Sequence, residues 1–445
     1  MSGTERRLRP MDMGKEGNAQ LSAHDGRARA RGSANSTHSP RWEEFAVRVS
    51  MLFAGGFILA EGLQNWIRGQ VETHPLVVFL LLFSYALAFA LFILATLNGE
   101  RILKLRDLAF FSLILTTAIS WYVVTQIEHP ASYQTDALAF VHYSAILLSK
   151  GINPYPQNLG SALTMFSVSP QFITLTPNGN LVTTLDYPAL QVIAFLPAAW
   201  AGLKDARIII YLFELATLVI VYIWSPKELR PLALIPIFAG SDLAINFSAG
   251  SIADFIWLLP MVLMVVWIDY PLVAGAMFGL ACAVKQTPWL LAPFLIVWFL
   301  RSVPKLSLGT RLVRVVMFAS AGFVAFLIPN LWFMTQNFGA WYAGVFTPAF
   351  GNLVVLSQGL SLITLANGVP LPPVFYITIV VIVAVTLLVE YYLYFEKLAY
   401  ALWAFPAIIL WASYRGLQNY FVFWTPLLVM SVVMLYRRGY LAEEN

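Results

Sequence analysis

The sequence predicts an all-α polytopic membrane protein, and three observations carry that prediction. Hydrophobic residues make up 59% of the chain and charged residues only 11%, whereas a soluble domain is about one quarter charged. Mean hydropathy is +0.72. Apolar runs of roughly 15–23 residues, the length of a membrane crossing, recur from Phe45 to Tyr436. They predict about twelve transmembrane helices and one partial helix. The net charge of +4 is no nucleic-acid signal, because Met1 to Arg48 alone carries nine Lys/Arg against six Asp/Glu. Cys282 is the only cysteine and lies in an apolar run, which excludes disulfides and thiolate metal sites. It reads as a small core residue.

Residues 1–44, rich in Arg, Gly, Ser and Ala without apolar period, read as a disordered cytoplasmic tail. Asn35-Ser36-Thr37 within it is a glycosylation sequon by pattern only. The membrane domain covers 45–438, with 439–445 as a second cytoplasmic tail. Spans at about 46–66, 75–97 and 107–127 deliver the chain to an extracytoplasmic loop over 128–186. Thr135 caps a helix there, Asp136 sits at its positive end, and Lys150-Gly151 stops it. A second short helix is expected over Leu159 to Phe166. Gln171 to Thr176, the turn Pro177-Asn178-Gly179-Asn180, and Leu181 to Tyr187 read as a small β-hairpin.

Leu185 to Leu203 is apolar but short and contains Pro188 and Pro197, so it reads as a helix lying in one leaflet. Spans follow at 207–224, 231–247, 251–268, 271–285, 289–301 and 312–333. A second extracytoplasmic loop covers 334–373, and spans at 374–394, 398–413 and 420–436 complete the domain. This path puts 21 of the 27 Lys and Arg on the inner side.

The unexplained polar residues then gather at the outer surface: Asp136, His142, Asn153, Tyr155, Asp186, Asp242, Asn246, Asp254, Lys285, Gln286, Gln358, Arg415 and Asn419. Charges at membrane depth are expensive and mark functional candidates. The runs flanking Lys285 are about 15 residues, near 22 Å of helix, against roughly 30 Å of hydrocarbon. Lys285 is therefore recessed, and either a lipid-borne phosphate or a carboxylate, Asp242 or Asp254, must satisfy it. Asp136 is either a helix-terminal acid or a general base. His142, two turns further, reads as structural. Glu61 lies near the outer end of a span, and Glu214 has no evident partner. No zinc spacing, Gly-rich phosphate loop, Ser-x-x-Lys or Gly-x-Ser-x-Gly pattern is present.

The order of short motifs resembles a family. Asp136, an amphipathic helix, and Gly151-Ile152-Asn153-Pro154-Tyr155 resemble the first periplasmic loop of polyprenyl-phosphate-dependent glycosyltransferases of the GT-C superfamily. The nearest is glycosyltransferase family 87, which includes mannosyltransferases. Tyr187-Pro188-Ala189-Leu190 with Pro197 is similar to its Tyr-Pro-Pro helix, with Ala189 replacing a proline. Ala274-Gly275 through Lys285-Gln286-Thr287-Pro288, then Pro293, is similar to its glycine-rich span ending in Lys-x-x-Pro. Ser357-Gln358-Gly359-Leu360-Ser361-Leu362 resembles its Asn-Gln-Ser-Leu segment, and Gly250-Ser251 stands where the family has Gly-Gln. The resemblance covers Thr135 to Tyr420.

It implies a GT-C fold and an inverting transfer of a hexose or pentose, mannose-like, from a polyprenyl-phosphate donor to a lipid, glycan or protein acceptor. Asp136 would be the base, with no metal and no cofactor. Lys285 and Arg415 would bind the donor phosphate. Asn153, Tyr155, Asp186, Tyr187, Gln286, Gln358 and Asn419 would contact substrate. Tyr155, Tyr187, Trp341 and Tyr342 are also candidates to stack on sugar rings, although interfacial aromatic belts account for such residues too. The chemistry agrees: an inverting transfer needs one carboxylate to take the acceptor's proton while a phosphate leaves opposite, beside a cation at the membrane surface. Two other classes remain open. A transporter or flippase of lipid-linked sugars would show repeats and broken midplane helices, and no repeat is evident. A non-catalytic partner of an envelope complex would need no outer constellation.

Overall fold

The computed structural model describes residues 39–68, 74–97, 99–350, 353–369 and 371–443. The expected tail over 1–38, with its sequon, lies outside them. The described chain is helical throughout and contains no strand among the described residues. Seven helices are long and apolar enough to cross a membrane, and a bent pair, Arg230–Ala239 with Asp242–Ala249, brings the number to as many as eight. Five further apolar helices have 10–17 residues.

The first three expected spans are found as Ser39–Arg68, Pro75–Ala95 and Leu108–Tyr122, the last extended by a π-helical turn over Val123–Glu128. The first begins six residues before the expected domain start at residue 45, and the last helix, Thr425–Glu443, runs into the expected C-terminal tail. The expected span over 231–247 is broken at Gly240 and bent by 79°. That over 251–268 shortens to Phe255–Val266, with Pro260 inside. The leaflet helix over 185–203 appears as two short helices, Ala189–Ile193 and Leu196–Trp200.

Two segments differ more. The chain over 338–350, expected in a loop, is helical, continuing from Leu308 across a kink at Asn337 (φ −161°, ψ 88°). Asn337 starts the second piece as an N-cap, its Oδ1 accepting from Ala340 N at 2.9 Å. The expected hairpin reduces to a turn with one isolated bridge, Leu175 to Leu181. Thr176 N donates to Asn180 O and Val182 N to Thr174 O across the turn, but the ladder stops at Thr174, whose N–H donates to Asp136 Oδ2 instead of to the opposite arm.

Packing follows the sequence pattern. Gly275 and Gly279 lie one turn apart, and a Cβ on either would run into the carbonyl of Phe318 or Gly322. Small residues at this spacing let the Pro271–Val284 and Leu308–Phe350 helices touch backbone to backbone. Trp257, Trp298, Trp403 and Trp424 fill the interior. Only 11% of the apolar windows of Leu308–Pro348 and Pro373–Leu393 is buried, so these helices turn apolar sides outward, as lipid-facing helices do.

Candidate functional site

The charged residues that the fold collects sit where helices begin or end, because the terminal N–H and C=O groups there favour opposite charge. Thr135, extended at φ −148° and ψ 142°, caps Asp136–Ser149 by accepting from Leu138 N at 3.3 Å. Asp136 thus opens the helix. It is 8% exposed, and its Oδ2 accepts from Thr174 N at 2.6 Å. No other hydrogen bond reaches this carboxylate among the described residues. The loop before it is tied to Ser251, which takes a positive φ of 75°. Thr135 Oγ1 donates to Ser251 O at 3.0 Å, and Gln134 N donates to Ser251 Oγ at 3.3 Å. Ser251, the second residue of the Gly250-Ser251 pair noted in the sequence, therefore positions the Asp136 loop.

Asp186 and Tyr187 arrive from the other end of the loop, just before the Ala189–Ile193 helix. Their backbone is clamped. Tyr155 OH donates to Tyr187 O at 2.7 Å, and Gln286 Nε2 donates to Asp186 O at 2.9 Å and to Val345 O at 2.6 Å. Tyr155 and Gln286, both expected to touch substrate, hold the backbone of Tyr187 and Asp186 respectively, and Tyr155 is 4% exposed. Asn153 Oδ1 accepts from Tyr155 N at 3.1 Å, closing an Asx turn. Its Nδ2 is buried without a hydrogen-bond partner among the described residues. Burial, then the charge of Asp136, pushes the Asp186 carboxyl up to about 7, with Arg415 and Lys285 pulling it back. Burial and then Asp186 hold the Tyr187 hydroxyl well above the usual tyrosine range.

Lys285 ends the Pro271–Val284 helix and Asp254 begins Phe255–Val266, the antiparallel neighbour. Nζ of Lys285 lies 2.6 Å from Asp254 Oδ1, with side-chain exposures of 11% and 3%. The recessed ammonium is thus satisfied by a carboxylate and needs no phosphate to be stable. Asp254 also accepts from Trp257 Nε1 and, at 2.8 Å, from Asn419 Nδ2. Asn419 accordingly braces the ion pair. The Lys285 ammonium lies 5.0 Å from the Tyr420 ring centroid, a cation–π distance. Neither Tyr420 nor Trp257 stood out in the sequence, since aromatics at helix ends read as an interfacial belt.

Arg415, in the turn before Asn419, is half-buried and pairs with no carboxylate among the described residues. Its Nη1 donates to Val354 O at 3.3 Å. Gln358 is exposed, with its N–H donating to Gly416 O at 2.7 Å. Trp341 is 5% exposed and donates from Nε1 to Asn330 Oδ1 at 2.9 Å, a packing role. Tyr342 stacks beside Phe346. His142 is fully buried between Phe166 and Tyr133; the Tyr133 hydroxyl accepts from Ala206 N and shares a hydrogen bond with His142 Nδ1, each at 2.8 Å. Burial lowers the ring to about 4.

Asp136, Asp186, Tyr187, Lys285, Arg415 and Asn419 are therefore brought to one neighbourhood with Asp254 and Tyr420, whereas Trp341 and His142 serve packing and Tyr342 stays exposed. Beside the Lys285–Asp254 pair, the neighbourhood joins two further carboxylates, Asp136 and Asp186, the second raised to about 7, to Arg415, which has no carboxylate partner among the described residues. Such a set can move a proton and hold an anion. Among the described residues no group of three or more His, Cys, Asp or Glu could hold a metal ion. No family model, curated protein or solved structure matches the chain.

Proposed function

We propose that this protein is a membrane glycosyltransferase of GT-C type, moving a mannose-like hexose, or a pentose, from a polyprenyl-phosphate donor to an acceptor hydroxyl with inversion. The observation that carries the reading is the Asp136 carboxylate, fixed by Thr174 N beside Asp186 with Arg415 near. Thr174 holds one oxygen, and the other takes the acceptor's proton as the new glycosidic bond forms. Arg415 receives the phosphate that leaves with the bonding electron pair. Lys285, engaged by Asp254, contributes field instead of direct contact. Val354, Leu356, Leu362 and Ile363, exposed and apolar beside Arg415, offer a track for the polyprenyl tail. Twelve crossings, with both termini cytoplasmic and the site outside a plasma membrane, fit the inner bias of Lys and Arg.

A second assignment within the same reaction is favoured by one observation. Asp186, held near 7, is better matched to proton transfer at neutral pH than an ordinary carboxylate. Purified protein in nanodiscs, given a polyprenyl-phosphate sugar and lipid, glycan and peptide acceptors, tests the activity. Formation of a glycosidic product supports it. Donor consumption no faster than in empty nanodiscs, with every acceptor, rejects it.

A further inference from the structure

A second polar site lies on the other side of the Asp136 loop. The two π-helical segments among the described residues are Val123–Glu128 and Asp242–Asn246. They line one cavity of about 380 Å³, supplying Val124 and Glu128 from the first and Asp242 and Asn246 from the second. His129 and Gln134 complete the wall. π-helical turns are less favourable than α-helical ones and concentrate at functional sites. The break at Gly240 adds to this: irregular backbone within a membrane segment persists where it lines a polar cavity.

The volume suits a small ligand, and the lining selects its chemistry. Two carboxylates, Glu128 and Asp242, disfavour an anion, and Val124 alone offers an apolar surface. Asp242 is already ordered, with Oδ1 accepting from Asn246 Nδ2 at 2.9 Å and Oδ2 from Gln418 Nε2 at 2.7 Å. Each amide that donates to Asp242 turns its carbonyl oxygen away from that carboxylate. The wall therefore combines the acceptor oxygens of Glu128 and Asp242 with amides at Gln134 and Asn246 that both donate and accept, and a ligand of many hydroxyls, which likewise donate and accept, answers it best. Gln134 stands two residues before Asp136, and the strained Ser251 holds Gln134 and the intervening Thr135.

We propose that the cavity between the two π-helical segments binds a neutral polyhydroxyl ligand, a glycan-like molecule whose hydroxyls meet Glu128, Gln134, Asp242 and Asn246. That this ligand is the acceptor rests on the transferase reading, whereas its binding does not. Saturation-transfer NMR on nanodisc protein without donor tests it, with methyl α-mannopyranoside, mannose 6-phosphate and Mg²⁺ as probes. The neutral glycoside receives saturation from wild type and from Asp136→Asn. Gln134→Leu and Asn246→Leu, each checked for native thermal unfolding, bind it about fivefold more weakly or worse. The phosphorylated sugar gives little transfer. The proposal is overturned if wild type gives no transfer, if both cavity variants bind normally, or if the phosphorylated sugar binds equally well. It also falls if Mg²⁺ binds in calorimetry and Asp242→Asn abolishes that binding, which marks a cation site. Binding that persists in a protein without turnover overturns only the transferase reading.

Discussion

Removing Asp254 from its ion pair with Lys285 should be among the most destabilising single changes in the protein. The carboxylate accepts from Lys285 at 2.6 Å, from Asn419 at 2.8 Å and from Trp257. Asp254→Leu orphans all three donors. An uncompensated buried charge costs about 3–5 kcal/mol, and the two neutral donors add roughly 1–3 kcal/mol each where water cannot reach them. The lower bound of about 3 kcal/mol is a more than hundredfold shift in the folded ratio. Lys285→Met should cost a similar amount by stranding the carboxylate. The double variant, which strands neither charge, should lose far less than the sum. The assay is a double-mutant cycle by denaturant unfolding of nanodisc protein. Additive single effects, or a cost below about 1 kcal/mol for either, would refute the pairing and return Lys285 to the role of donor-phosphate ligand.

Other consequences are smaller or differ in kind. Gly279→Leu forces the Pro271–Val284 and Leu308–Phe350 helices apart, and should prevent recovery of folded protein by size exclusion, whereas Gly309→Leu, where a Cβ would meet only Ser307 Oγ at 4.0 Å, should not. Tyr133→Phe removes the acceptor of Ala206 N and the partner of His142 Nδ1, and should cost roughly 1–3 kcal/mol in the same unfolding assay. The pH dependence has two limbs. Asp186 is raised from 3.8 to about 7, so the folded state binds the extra proton and stability falls as pH rises between those values. His142 is lowered from 6.5 to about 4, so the unfolded state binds the extra proton and stability falls as pH drops through that window. Thermal unfolding from pH 4 to 8 should lose the first limb in Asp186→Asn and the second in His142→Phe.

Hydropathy made the helices legible, because apolar runs at span length admit few other readings. It did not reveal where they stop. Gly240 breaks one span and Asn337 restarts another, and both events depend on neighbours absent from a linear pattern. The hairpin shortened for the same reason: two runs around Pro177-Asn178-Gly179-Asn180 matched strands, but Asp136 took up the N–H of Thr174 that the opposite arm would have used. Among site residues, Asp136 was legible because an acid after a capping Thr has a local meaning. The partner of Lys285 was not, since Asp254 and Asp242 compete equally until the antiparallel packing of two short helices selects one. Tyr155 and Gln286 stood out in the sequence as polar residues at the outer surface. Their bonds to backbone carbonyls, which make them positioning residues, are a property of the folded chain alone.

The central claim, that Asp136 is the base of a sugar transfer, is tested most directly by the turnover of Asp136→Asn beside Asp186→Asn and Asp242→Asn. Asparagine keeps the carbonyl oxygen that accepts from Thr174 N but cannot take a proton. Turnover with a polyprenyl-phosphate sugar should fall by roughly two to four powers of ten in Asp136→Asn, with donor binding nearly intact. Loss of a helix-terminal charge alone would cost about 0.3–1 kcal/mol of stability and little activity. Near-normal turnover in Asp136→Asn, with the large loss appearing in Asp186→Asn instead, would contradict the assignment and make Asp186 the base.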